Sequence, residues 1–69
     1  MVNIAKSYSS REVVRILKDD GWYFDSQVGS HKHYKHPLKA GKATVVQGKE
    51  AVPRGTLNGI EMQTGLKFR

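Results

Sequence analysis

The lack of cysteine is the feature that most constrains how this chain can fold. Its 69 residues contain none, so neither a disulfide nor a thiolate zinc site can stabilise the structure. A chain this short buries only about 60% of the surface that its unfolded form exposes, which leaves enough apolar area for one core. We therefore expect residues 1–69 to form a single domain that is stabilised by side-chain packing alone.

The apolar runs of the chain are only a few residues long, whereas crossing a bilayer takes roughly 18 or more. The N-terminus also lacks the pattern of a signal peptide. A protein without cysteine suits a reducing compartment. We expect a cytoplasmic protein with no membrane partner and no cofactor.

Two segments carry helix signals. Ser9 and Glu12 form a capping box, in which the hydroxyl and the carboxylate satisfy free backbone donors of a first turn. Apolar residues at helical spacing follow, and Gly21 suits the left-handed position after a helix, so we predict a first helix over residues 10–20. A second helix is predicted within residues 53–65. Its core-facing residues are expected to be Leu57, Ile60 and Thr64.

Three strands are predicted between the helices, at residues 22–28, 31–36 and 43–46. Aromatic or β-branched residues mark the first and third segments, the pair Gly29-Ser30 supplies a hairpin turn, and Pro37 stops the second strand. The order α-β-β-β-α favours an α+β fold, in which both helices cover one face of a three-stranded antiparallel sheet. A ligand must then use the open face of the sheet or its edges.

The alternation of side chains along a strand predicts which residues share a face. In the first strand one face should carry Trp22, Phe24 and Val28, and the other Asp25 and Gln27. In the second strand one face should carry His31, His33 and Lys35, and the other Lys32, Tyr34 and His36. We expect the aromatic rings of Trp22 and Tyr34 to pack in the core or on the sheet rather than to stack on bases.

All three histidines lie within residues 29–37, beside two lysines and a tyrosine. Histidine moves protons near neutral pH, and lysine holds phosphate. The net charge is +6, and no acid lies between Asp25 and Glu50. This clustering favours phosphate binding over a merely solvated basic surface. The residues predicted to contact RNA are Ser30, Lys32, Lys35, Lys39 and Lys42.

The same segment fits acid–base chemistry on RNA. Cleavage needs a base for the 2′-hydroxyl, an acid for the leaving 5′-oxygen and cations around the phosphate. His31 is the predicted base, and we expect Lys32 and Lys35 to lower its pKa by like-charge repulsion. The acid stays open, since His33, about 6.5 Å along the strand, Tyr34 or a lysine could supply charge or a proton.

The other histidines fit plainer roles. We expect His33 and His36 to be ordinary surface histidines rather than catalysts. A metal site through His31 and His33 is geometrically possible on one strand face, but structural zinc usually takes four ligands, and no cysteine or nearby carboxylate completes the set. We therefore predict no metal.

Short motifs follow one another along residues 9–66 in a specific order. They are Ser10-Arg11-Glu12-Val13-Val14, Asp20-Gly21-Trp22, Gly29-Ser30-His31, Tyr34-Lys35-His36-Pro37, Thr44-Val45, Pro53-Arg54-Gly55-Thr56-Leu57, Ile60 and Gly65-Leu66. This succession resembles the HicA toxin family of bacterial toxin–antitoxin modules. The resemblance implies an mRNA interferase with a double-stranded-RNA-binding-domain-like fold, inhibited by a HicB antitoxin, and it implies that His31 is the catalytic residue.

The chain departs from the family pattern at two places. Family members commonly carry proline and histidine after the third strand, where this chain has Val46 and Gln47. Their second helix often bears basic residues where this one reads Asn58-Gly59-Ile60-Glu61-Met62. These departures bear on how tightly RNA is bound, and they leave His31 unchanged.

These observations lead to one hypothesis and two alternatives. The hypothesis is a type II toxin, a metal-independent endoribonuclease that uses His31 as general acid/base on mRNA and is inhibited by a HicB-like antitoxin. The first alternative is a non-catalytic RNA-binding module on the same fold, and the second is a scaffold that binds only a protein partner. A histidine at the hairpin exit favours the enzyme, because simple RNA binding does not need it.

Overall fold

The structure is a computed structural model that describes residues 7–68. Its elements follow in the order α1 (Ser10–Asp19), β1 (Tyr23–Val28), β2 (His31–Lys35), β3 (Ala43–Val46) and α2 (Arg54–Thr64). The strands pair antiparallel in the order β1-β2-β3, and both helices pack against β3. The predicted α+β fold is confirmed, and it is consistent with a double-stranded-RNA-binding-domain-like fold.

The capping box predicted for α1 is present. The hydroxyl of Ser9 accepts a hydrogen bond from the backbone N–H of Glu12 at 3.1 Å, and the Glu12 carboxylate accepts one from the backbone N–H of Ser9 at 2.9 Å. The helix ends at Asp19, one residue earlier than predicted, because Asp20 is its C-cap. Gly21 then turns the chain with a φ of 102°.

The second helix also lies where the sequence predicts it. Leu57, Ile60 and Thr64 are buried, and Gly65 is the left-handed C-cap with a φ of 78°. Gly59 lies on the exposed side of α2, where an added Cβ would meet nothing within 4 Å. The buried face of the helix offsets the cost of about 1 kcal/mol that glycine adds relative to alanine.

The register of β1 departs from simple alternation. Phe24 pairs with Tyr34, but the next pair is Ser26 with His33, so Asp25 is an extra residue in β1. Such a β-bulge places two residues of one strand opposite one residue of its partner. Because side chains alternate with a period of two, one extra residue moves every later side chain to the other face.

The bulge overturns one prediction. Trp22, Phe24 and Val28 do not share a face, because the extra residue lies between the last two. Phe24 lies on the helix side, with its ring centroid 5.9 Å from that of Tyr34, whereas Val28 pairs with His31 on the open side. The ends of the strands also differ by one residue, since β1 begins at 23 and β2 ends at 35.

One hydrophobic core lies between the sheet and the helices. Its members are Tyr8, Val13, Leu17, Trp22, Tyr34, Ala43, Val45, Val52, Leu57, Ile60 and Phe68. The predicted packing role of Trp22 and Tyr34 is confirmed, since each is only 2% exposed. β1 contributes no buried side chain, so this strand extends beyond the cover of the helices. Within residues 7–68 neither helix is long and apolar enough to cross a membrane.

Candidate functional site

The face of the sheet that points away from the helices carries the predicted catalytic residue. His31, His33 and Lys35 alternate along β2 with the buried Tyr34, so they lie on this face, as predicted. Strand pairing arranges their neighbours in three rows: Val28–His31–Val46, Ser26–His33–Thr44 and Tyr23–Lys35. We call these residues the open face.

His31 combines a fixed backbone with an exposed side chain. It is the first residue of β2, and its backbone pairs with both neighbouring strands. The turn before it needs Gly29, whose φ of 59° is rare for other residues. Next to it, the N–H of Gln47 donates to the carbonyl oxygen of Ser30 at 2.7 Å. The backbone of His31 is thus fixed at the hairpin end, and its imidazole is open to a bound ligand, as a general acid or base must be.

Two candidates for the second proton-transfer group differ in position. His33 lies one row from His31 on the open face and is half-buried, with its Nδ1 2.9 Å from the Thr44 hydroxyl. Tyr34 lies on the helix side, and its burial raises the pKa of its hydroxyl. Tyr34 therefore neither faces His31 nor gives up a proton easily, which leaves His33 as the better placed of the two.

His36 has a structural role. Its Nε2 lies 2.7 Å from the carbonyl oxygen of Asp20, and its Nδ1 accepts hydrogen bonds from the backbone N–H groups of Leu38 at 3.0 Å and Lys39 at 3.3 Å. The ring also contacts Trp22 edge-to-face, with centroids 5.3 Å apart. Because Nδ1 accepts, Nε2 must carry the proton and donate to Asp20. Both nitrogens are engaged, so His36 is not available as a catalyst in this arrangement.

The lysines predicted to bind RNA fall in different places. Lys35 lies on the open face beside Tyr23. Lys42 directly precedes β3, and extending the β2–β3 register by one residue sets it opposite Lys35. Lys35 and Lys42 are both exposed. Of the four lysines predicted to contact RNA, Lys35 and Lys42 lie on the same side of the sheet as His31.

Lys32 lies on the other side of the sheet. It pairs with the buried Val45 and lines an open cleft of about 670 Å³ beside the N-terminus of α1. The cleft also contains Arg11 and Lys49, two cations outside the set predicted to contact RNA. Lys49 lies in the stretch without acids before Glu50. No local pattern marks Arg11, because the cleft forms only when the start of α1 meets the loop after β3. Glu50 lines the same cleft and reduces its positive charge.

Lys39 is engaged within the protein. Its ammonium group lies 2.6 Å from the carboxylate of Asp20 and donates to the carbonyl oxygen of Thr64 at 2.9 Å. The hydrogen bond from Lys39 holds the pKa of Asp20 below its ordinary value, with a further contribution from the indole N–H of Trp22. Lys39 thus joins the ends of α1 and α2 and has the weakest geometric case for RNA contact among the five predicted residues.

Among residues 7–68, no three His, Cys, Asp or Glu side chains lie close enough together to hold a metal ion. The open face instead carries an exposed imidazole, a second, half-buried imidazole and two lysines on a paired sheet. Imidazoles can transfer protons and lysines can hold phosphate, so the structure defines the class of protein as a small α+β domain whose open sheet face bears histidines and lysines.

Comparison with known proteins identifies the family. The sequence profile described as the HicA toxin of bacterial toxin–antitoxin modules matches residues 10–66. The chain therefore belongs to the HicA toxin family, and the resemblance found in its motifs is confirmed. A search of curated proteins finds no significant match.

Proposed function

We propose that this toxin is a metal-independent endoribonuclease, an mRNA interferase, and that His31 is its general acid/base. The observation that carries the proposal is the position of His31, exposed at the end of the open face with its backbone paired on both sides. Membership of the HicA toxin family supports the toxin role. A HicB-like antitoxin is the partner that we propose for it.

The proposed reaction is an internal transfer at phosphorus. His31 takes the proton of the ribose 2′-hydroxyl, and the 2′-oxygen attacks the adjacent phosphorus atom. The bond from phosphorus to the 5′-oxygen breaks, and that oxygen takes up a proton from a general acid. The product ends are a 2′,3′-cyclic phosphate and a free 5′-hydroxyl. Proton transfer by a positioned side chain contributes about 10²- to 10⁴-fold to such a step.

The cations and the second histidine complete the proposed site. Lys35 and Lys42 would balance the charge that develops on the phosphate oxygens. Ser30, in the turn before His31, would contact the RNA beside it, and Lys32, on the other face of the sheet, would bind RNA that continues past the end of the hairpin. His33 is placed to protonate the leaving oxygen from the neighbouring row. Lys39 is left out of this set, because its ammonium group already binds Asp20 and Thr64.

The first prediction concerns His31. Purified wild-type protein should cleave mRNA-like RNA in the presence of EDTA, and His31→Ala should lower the rate at least 100-fold, because it removes the proposed base. The fold should persist in the variant, since the side chain is exposed. Gel analysis of labelled RNA measures the rate, and circular dichroism measures the fold.

The control is Ser26→Ala, which removes an exposed side chain from the middle row of the open face and should leave the cleavage rate near that of wild type. His33→Ala removes the proposed acid and should lower the rate as well. Equal rates for wild type and His31→Ala, or a loss of cleavage in Ser26→Ala as large as in His31→Ala, would overturn the assignment. RNA binding without any cleavage would instead identify a non-catalytic RNA-binding module. In cells, wild-type expression should arrest growth, His31→Ala should not, and a co-expressed HicB-like antitoxin should relieve the arrest.

A further inference from the structure

Tyr23 is an exposed aromatic residue on the open face that the proposed chemistry does not use. It is 50% exposed and pairs directly with Lys35, so it shares a side of the sheet with His31 and His33. Its side chain makes no hydrogen bond, ion pair or ring contact within the described residues 7–68. By contrast, the rings of Trp22 and Tyr34 are buried in the core.

The neighbours of Tyr23 form a cationic end of the open face. Lys35 lies opposite Tyr23 on β2. The pairing of β2 with β3, extended by one residue, places Lys42 next to Lys35 on the side away from β1. An aromatic ring beside cations on an open sheet is the arrangement with which proteins bind single-stranded nucleic acid, because bases stack on the ring while lysines hold the phosphates.

The distance from the cationic end of the open face to His31 suits a single RNA strand that crosses this face. His31 and Lys35 are four residues apart on β2, which corresponds to about 13 Å. A short run of extended nucleotides covers this length. An RNA strand bound in this way passes His33 in the middle row and presents one phosphate at His31.

We propose, on the basis of the function proposed above, that Tyr23 is a base-stacking residue that seats single-stranded RNA across the open face, with Lys35 and Lys42 on its phosphates. The site selects single strands, because a base must leave its neighbours to stack on the tyrosine ring, and the bases of a duplex are already paired and stacked. Tyr23 binds and positions the substrate and takes no part in proton transfer.

Phe24 provides a matched control for this proposal. It is the next residue of β1 and is 49% exposed, almost the same as Tyr23. Its side chain lies on the helix side of the sheet, against Tyr34. Substitution of either residue by leucine therefore removes a half-exposed aromatic ring from the same strand, but only Tyr23→Leu removes one from the open face.

The test uses a fluorescent 2′-O-methyl RNA strand, which lacks the attacking hydroxyl and cannot be cleaved, so binding is measured apart from catalysis. In anisotropy titrations, Tyr23→Leu should weaken single-strand binding about tenfold or more. Tyr23→Trp and Tyr23→Phe should bind like wild type, and Phe24→Leu should differ from wild type less than twofold. For the duplex of the same strand with its complement, Tyr23→Leu should change the affinity little.

Equal loss of affinity in Tyr23→Leu and Phe24→Leu, or equal loss for single strand and duplex, would overturn the proposal. So would failure of the wild-type protein to bind the strand. Photocrosslinking of wild-type protein to 5-iodouridine-containing RNA, with the adduct located by mass spectrometry, needs no variant. An adduct on Tyr23 supports its role as a base-stacking residue, and adducts only elsewhere refute that role. RNA cleavage by wild type with no role for Tyr23 would leave the proposed function intact.

Discussion

At the scale of single residues, Asp20 contacts three other side chains. Its carboxylate accepts from the ammonium group of Lys39 and from the indole N–H of Trp22, and its carbonyl oxygen binds the imidazole of His36. These contacts tie the turn after α1 to the loop after β2. They also explain why His36 and Lys39 serve the fold instead of the ligand.

The pKa of Asp20 gives a prediction about acid. Because Lys39 lowers that pKa below its ordinary value of 3.8, the ion pair should stabilise the protein fully above that value. Its contribution should disappear as the pH falls through the folded pKa. Asp20→Asn should therefore lower the free energy of unfolding at pH 7 by up to about 1 kcal/mol. The difference between variant and wild type should shrink below pH 4.

Chemical denaturation at several pH values measures this difference, with Asp25→Asn, an exposed carboxylate of β1, as the control. A constant difference between Asp20→Asn and wild type from pH 7 to pH 3 would show that the carboxylate charge contributes nothing and that only its shape matters.

At the scale of elements, the start of α1 is anchored by two adjacent serines with different roles. Ser9 caps the helix through Glu12. Ser10, which is buried, donates from its hydroxyl to the carbonyl oxygen of Val46 at 2.5 Å and accepts from the N–H of Lys49 at 3.0 Å. Since Val46 is the β3 neighbour of His31, Ser10 links the helix to the row that contains the proposed catalytic residue.

This difference predicts unequal effects of alanine. Ser9→Ala should cost about 1 kcal/mol of stability, the usual loss for an N-cap. Ser10→Ala should cost about 1–3 kcal/mol, because it leaves the partly buried carbonyl oxygen of Val46 and the N–H of Lys49 without their partner. Urea denaturation of both variants measures the costs. The interpretation fails if Ser10→Ala unfolds at the same urea concentration as wild type.

At the scale of the whole molecule, the net charge of +6 is spread unevenly. Lys35 and Lys42 lie on the side of the open face, whereas Lys32 lies with Arg11 and Lys49 in the cleft beside α1. A positively charged protein attracts RNA at long range wherever its charges lie. Only charges that touch phosphates release counterions and set the salt dependence of binding.

The salt dependence therefore separates contact from attraction. For a single-stranded RNA, the double variant Lys35→Ala, Lys42→Ala should flatten the plot of log affinity against log salt by about 0.7 for each lost contact. The variant Lys18→Ala, Lys67→Ala removes the same charge from exposed positions outside the sheet, and it should keep the wild-type slope. Equal slopes for both double variants would show that the open-face lysines hold no phosphate.

The sequence by itself determined the elements, the order in which they follow and the family. The capping box at Ser9, the turn at Gly29 and the C-cap at Gly65 depend on contacts within a few residues, so their patterns are legible in a single chain. The position of His31 on the open face followed from strand alternation, which is equally local. That part of the candidate site could be predicted.

Only the tertiary structure decided how the remaining residues are used. The bulge at Asp25 moves the side chains that follow it in β1 to the opposite face and so brings Val28 onto the open face. It is visible only in the pairing with β2. The engagement of Lys39 depends on Asp20, 19 residues earlier, and the role of Ser10 on Lys49, 39 residues later. Contacts over such separations are set by packing of the whole core, and a local pattern carries no record of them.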